Sequence, residues 1–156
     1  MKIIRIRDKT LFDQFASIAV TNKLTNLNVA QFPDSKDKLK NKFDSIFTNG
    51  VNTKNQRVYS ILGDNNTLLG YTWINFQKGL CLKLNYIYLY PHFRGKGHSK
   101  QVLVYWHKLA KRAHAGYISL YVFHHNAVAI NLYEKFGFVK ESHESNGRSF
   151  YKFSVI

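Results

Sequence analysis

The sequence predicts an α/β protein, a three-layer α/β/α sandwich on a mixed, mostly antiparallel sheet. Apolar residues recur at helical spacing in some segments and in strand-like runs in others. Three of the strand-like runs follow one another with only short turn compositions between them, which makes an antiparallel meander the economical arrangement. The chain has 156 residues, 45% of them hydrophobic and 15% aromatic, enough for the core of one domain spanning residues 1–156. No repeat, linker or compositional break divides it.

The elements follow in order. "KIIRIR" alternates apolar and basic residues, as a half-buried opening strand does. A helix over residues 10–22 places Leu11, Phe12, Phe15, Ile18 and Ala19 on one face. "TNKLTNLNVAQFPDS" is asparagine-rich and reads as irregular. A second helix runs from Ser35 to Thr48, with Asp34 or Ser35 as N-cap and Gly50 as its stop. The period then changes: "RVYSILG", "LLGYTWINF" and "LCLKLNYIYLY" are strands joined at "DNN" and "QKG". The next helix carries Val102, Leu103, Trp106, Leu109, Ala110 and Ala113 on its apolar stripe, with Gly116 to close it. "YISLYVF" is a strand and "NAVAINLYEKFG" a short helix, and a hairpin turning at Asn146-Gly147 closes the chain. The order is β-α-α-β-β-β-α-β-α-β-β.

The third meander strand changes parity. Leu80, Leu82 and Leu84 share one face, whereas Ile87 and Leu89 fall on the opposite parity. One extra residue moves side chains to the other face, so the pattern predicts a β-bulge near Asn85 and Tyr86. A strand buried on both faces would also permit the pattern.

"YPHFRGKGHS", residues 90–99, lies between this strand and the following helix. A helix N-terminus exposes backbone N–H groups that lack internal partners, and the helix dipole adds positive potential there. Glycines let an anion approach those amides, and Arg94 and Lys96 add charge. The stretch has the makings of a phosphate cradle; the plainer alternative is a glycine-rich surface turn. It is neither a P-loop nor a three-glycine dinucleotide fingerprint.

Charge and cysteine content narrow the field. Lys and Arg number 23 against 9 Asp and Glu, a formal net charge of +14, which points to an anionic cofactor, nucleic acid, the ribosome or an acidic substrate. The single cysteine, Cys81, excludes an internal disulfide and any multi-cysteine metal site, and its strand position suggests a buried thiol. The seven histidines show no ligand spacing, so no metal is expected. "MKIIRIRDKT" does not read as a signal peptide, and no apolar run approaches the roughly 20 residues of a membrane span. A cytoplasmic protein, monomeric or homodimeric, is the expectation.

Arg94 to Ser99 resembles R-x-x-G-x-[GA], the pyrophosphate signature of the acetyl-CoA-dependent GNAT N-acetyltransferase superfamily. Downstream, "NAVAINLYEKFGF" is similar to that family's N-x-x-A-x-x-x-Y-E-x-x-G-F segment, through Asn126, Ala129, Tyr133, Glu134, Gly137 and Phe138. "IYLYP" resembles the family's fourth strand, which carries a bulge. The detailed resemblance covers residues 80–141, and Ser99 departs from the usual Gly or Ala. It implies that Arg94, Gly95, Lys96, Gly97, His98 and Ser99 hold the pyrophosphate of acetyl-CoA. It further implies that the Leu89 backbone pairs with the pantetheine arm, in a gap where the fourth and fifth strands splay apart. Acetyl transfer to an amine of a small molecule or protein would follow.

Individual residues admit two roles each. Asn126 can cap its helix, and the resemblance adds a bond to the cofactor arm. Tyr133 can be a core residue, and the resemblance makes it the acid that protonates the departing thiolate. Glu134 and Lys135 read as solvated charges. No carboxylate lies on "LCLKLNYIYLYP", so the general base falls to water, to His124 or His125, or is dispensed with if the amine arrives neutral. A second reading is a basic module that docks on nucleic acid or the ribosome through Lys100, Lys108, Lys111, Arg112 and "KDKLKNK".

Overall fold

The computed structural model describes residues 1–26, 35–77, 81–143 and 147–156. Its elements are β1 (Lys2–Arg5), α1 (Lys9–Asn26), α2 (Ser35–Ile46), β2 (Gln56–Leu62), β3 (Leu68–Gln77), β4 (Cys81–Leu89), α3 (His98–Arg112), β5 (Tyr117–Phe123), α4 (Ala127–Phe136), β6 (Val139–His143) and β7 (Arg148–Ser154). The predicted order holds throughout. The strands form one seven-stranded sheet in the order β1-β2-β3-β4-β5-β7-β6. β3–β4, β5–β7 and β6–β7 are antiparallel and β4–β5 is parallel, giving the mixed sheet of an α/β fold.

Two compact units make up the chain. One is Arg5–Val58, and phenylalanines hold it together. Phe12 and Phe15 of α1 meet Phe43 of α2 and Phe47 just beyond it, with ring centroids 4.6–6.2 Å apart. Phe12, Phe15 and Ala19 are buried as the helical spacing requires, whereas Leu11 is exposed. α1 runs on to Asn26, through residues expected to be irregular. Thr and Asn each cost a helix interior only some tenths of a kcal/mol, and with no Gly or Pro the growing helix continues. The N-cap position of α2 lies outside the described residues.

The other unit comprises Met1–Ile4 and Tyr59–Ile156. Its core gathers Val102, Leu103, Trp106 and Ala110 of α3 against Ile61, Ile74, Leu82, Leu84, Ile118 and Leu120 of the sheet. α4 packs on the same cluster through Ala129, Ile130, Tyr133 and Phe136. The turn "DNN" is a short 3₁₀ turn in which Asn65 and Asn66 take positive φ, a conformation asparagine tolerates. α3 ends earlier than Gly116 suggested. His114 takes the left-handed conformation (φ 52°), and the Ala115 N–H donates to the Ala110 carbonyl. That closes the helix before the glycine is reached. Asn146, in the predicted hairpin turn, lies outside the described residues, while Gly147 has a positive φ of 76°.

Candidate active site

β4 and β5 pair only from Cys81–Tyr117 to Leu84–Leu120, although β4 continues to Leu89 and β5 to Phe123. The cause lies on the other edge of β4. Against β3 the register steps from Ile74↔Leu84 to Trp73↔Tyr86, so Asn85 is an extra residue. This is the predicted bulge. A bulge bends its strand and increases its twist, and β4 parts from β5 directly after Leu84.

The backbone of the parted segment is presented to the gap. The Tyr90 N–H donates to the Leu69 carbonyl at 2.9 Å, beside the Gly70↔Leu89 pair. In an antiparallel ladder this makes Gly70↔Leu89 a non-hydrogen-bonded pair, so the Leu89 N–H and C=O point away from β3. Ile87, two residues earlier, shares that direction. Gly70 is needed here, because a Cβ would lie 1.9 Å from the Tyr88 carbonyl oxygen.

The bulge is also held from below. Trp106 Nε1 of α3 donates to Thr72 Oγ1 at 3.1 Å, and that hydroxyl donates to the Tyr86 carbonyl at 2.9 Å. Trp106 and Thr72 are wholly buried. Buried polar groups gain most when every partner is satisfied, and this relay occupies the indole N–H and both roles of the hydroxyl.

The cradle follows at the end of β4. A 3₁₀ turn over Pro91–Phe93 leads to Gly95 (φ 73°) and Gly97 (φ 80°), both left-handed. A Cβ on either would meet nothing within 4 Å, so these glycines serve conformation and bare backbone rather than packing. Gly97 is the N-cap of α3 and supplies no side-chain bond, which leaves the first amides of the helix without a side-chain cap. Arg94 Nε donates to the Leu89 carbonyl at 2.9 Å, and its guanidinium lies 5.6 Å from the centre of the Tyr88 ring. Lys96 Nζ lies 5.9 Å from the Phe93 ring centre. Among the described residues, His98 Nδ1 is buried with no hydrogen-bond partner. Uncapped helix amides, two cations and an orphaned ring nitrogen suit a pyrophosphate.

α4 contributes the remaining residues. Asn126 Oδ1 accepts from the Ala129 N–H at 3.2 Å, so the capping role is observed. Gly137 (φ 110°) stops the helix, its N–H shared between the Tyr133 and Glu134 carbonyls, and Phe138 anchors the exit in the core. The Tyr133 ring packs 5.6 Å from Phe138. Desolvation pushes its phenol up to about 12, so at neutral pH Tyr133 is a hydrogen-bond donor and not a base. Glu134 is not simply solvated. Its Oε1 accepts from the buried Tyr151 hydroxyl of β7 at 3.0 Å, which ties α4 to the sheet beside Tyr133. Cys81 is a buried thiol, 3.2 Å from Ser119 Oγ.

The structure thus joins Leu89 to the Arg94–Ser99 cradle and sets Tyr133 and Asn126 on a helix that packs on the same core. Thr72, Trp106 and the Tyr151–Glu134 bond were not read from the sequence. The one available signal was the pairing of a strand threonine with a helix tryptophan, both suited to buried hydrogen bonding. His124 and His125 are exposed at the end of β5. Among the described residues no three His, Cys, Asp or Glu side chains gather as a metal site, and no helix is long and apolar enough to cross a membrane.

Comparison with known proteins agrees with this geometry. The chain is 31% identical over 99 residues to the uncharacterized N-acetyltransferase YycN of Bacillus subtilis (strain 168), covering 62% of this chain and 64% of that one. The match therefore spans just under two thirds of the relative's length. The crystal structure of YycN superposes with a TM-score of 0.81 at 22% identity, over 92% of this chain and 96% of that one. The paia N-acetyltransferase from Thermoplasma acidophilum, solved in complex with coenzyme A, gives 0.73 at 18% identity over 99% of each chain. The model of the acetyltransferase (GNAT) family matches residues 21–138. With a splayed parallel strand pair, a glycine cradle and a family match across most of its length, the chain belongs to the GNAT acetyltransferase family.

Proposed function

We propose that the protein transfers an acetyl group from acetyl-CoA to an amine by direct attack. The observation that carries this reading is the parting of β4 from β5 beyond Leu84 and Leu120, beside a glycine-bared helix N-terminus. Acetyl-CoA supplies an acyl group already activated as a thioester. Arg94, Lys96 and the amides around Gly95 to Ser99 bind its pyrophosphate, and the Leu89 amide aligns the pantetheine arm as an added strand would be aligned. Backbone amides in the Ile87–Leu89 segment withdraw charge from the acyl oxygen. The neutral amine forms the new C–N bond as the C–S bond breaks. The electron pair leaves on sulfur, the Tyr133 hydroxyl donates its proton there, and the proton shed by the amine passes to water and restores the phenol. Ser99, where the family has Gly or Ala, adds a hydroxyl near the phosphates.

Acetyl-CoA is expected to raise the melting temperature, because a ligand that binds only the native state stabilises it. Gly97→Val would remove this rise by forcing a β-branched residue into left-handed φ. A shift no larger than that produced by inorganic phosphate would refute the reading.

A further inference from the structure

Where β4 and β5 part, both present one kind of side chain to the face away from α3 and α4. Ile87 and Leu89 of β4, and Leu120 and Val122 of β5, belong to the core that those helices cover. Strand alternation therefore turns Tyr86 and Tyr88, and Tyr121 and Phe123, to the opposite face. Pairing ends at Leu84–Leu120, so all four rings belong to the segments that flank the gap. Tyr86 and Tyr88 lie almost parallel with ring centres 6.1 Å apart, and Phe150 of β7 backs Tyr121 at 5.1 Å. Tyr121 is 36% exposed and the other three are half-buried, so the mouth of the gap on this face has aromatic walls on both sides. None of β4, β5 or β7 contains an Asp or Glu, so recognition along these strands falls to the rings.

The cradle opens α3, and Asn126 and Tyr133 belong to α4 and its cap, so the donor-binding groups stand on the core face. A donor held there fills that side of the gap, and an amine attacking its acetyl carbon arrives from the other face, between the aromatic walls. Resting on the acetyl-transfer reading above, we infer that the acceptor is an amine carrying a flat aromatic group, which lies between Tyr86 and Tyr88 on one side and Tyr121 and Phe123 on the other. Offset or edge-to-face ring pairs gain energy beyond the apolar area they bury, whereas a saturated ring of similar size gains the area alone. A flexible polyamine gains neither ring pairs nor, on these strands, a carboxylate partner.

The test compares phenethylamine, tryptamine, cyclohexylethylamine and spermidine. Each is measured as an acceptor, by kcat/KM, and as a ligand, by calorimetry without acetyl-CoA. The two aromatic amines are expected to exceed the other two by roughly tenfold, the scale of two ring pairs. Tyr121→Leu and Phe123→Leu keep an apolar side chain and remove one ring. Each should reduce the preference by roughly threefold through acceptor KM, with acetyl-CoA affinity unchanged, while Tyr121→Phe retains it. The ranking of amines by the parent protein decides the matter even where a Leu variant fails to fold. Equal values for phenethylamine and cyclohexylethylamine, preference for spermidine, or a ranking unmoved by either Leu substitution overturns the inference. Failure of acetyl-CoA to bind would sink the transfer reading instead, and the calorimetric ranking would still decide which amine the face holds.

Discussion

Tyr133 combines a desolvated phenol with a ring packed on Phe138, so its packing and its chemistry can be separated by removing one oxygen. Tyr133→Phe is expected to lower kcat roughly 10²-fold, near the lower end for general acids because a thiolate is an acidic leaving group. Acetyl-CoA affinity and melting temperature should change little, the pattern of an interaction made in the transition state. An unchanged kcat, measured where chemistry limits the rate, would reduce Tyr133 to a core residue. The pH dependence follows in sign. With Tyr133 and Tyr71 both raised to about 12 by burial, folding keeps them neutral. Their stabilisation is complete below the ordinary phenol value of about 10 and is lost as pH rises from there through 12. An ultraviolet titration of the phenols that showed both ionising near 10 would contradict this. Thr72 is the second residue to test. Thr72→Val keeps the shape but leaves Trp106 Nε1 and the Tyr86 carbonyl without their shared partner, costing about 1–3 kcal/mol in denaturant unfolding. Thr72→Ser should restore most of it and, if the relay holds the bulge, recover kcat as well.

At the scale of elements, α4 is short and placed by its ends. Asn126 caps it, Gly137 stops it, and the Tyr151–Glu134 bond sets its rotation over β7. Asn126→Ala removes the cap and should cost about 1 kcal/mol. Asn126→Asp keeps an acceptor at the cap, so its stability should stay near the parent's. If Asn126 also donates to the cofactor arm, Asp will still weaken acetyl-CoA binding, since a carboxylate cannot make that bond. Equal acetyl-CoA affinity in both forms, by calorimetry, would confine Asn126 to its structural role. β4 shows the same economy: one extra residue, Asn85, both reverses the side-chain parity and opens the gap.

For the molecule as a whole, the net charge of +14 needs an account. Part of it stands at the cradle, where Arg94 and Lys96 would meet an anionic donor. RNA binding should accordingly be weak and unselective, with a Kd of about 10⁻⁴–10⁻⁶ M at physiological salt, and should weaken further as salt rises. Submicromolar, structure-selective binding would favour the docking-module reading instead.

Helices and strands announce themselves through spacings of two to four residues, turns through Gly and Asn, and a bulge through one shift of parity. These are local signals, and so the order of the elements, the bulge at Asn85 and the glycine cradle could all be read along the chain. Even local signals failed where two stops competed: His114 closed α3 ahead of Gly116, and α1 ran through its asparagines. What the tertiary structure alone decided joins residues far apart in sequence. The limit of β4–β5 pairing at Leu84–Leu120, the Trp106–Thr72–Tyr86 relay and the Tyr151–Glu134 bond are of this kind. So is the meeting of Lys83, Arg148 and Tyr121 on one face. No periodicity records such pairings, because each partner satisfies its own strand or helix pattern equally well without the other. Only the packing of one element on the next brings their polar atoms within bonding distance.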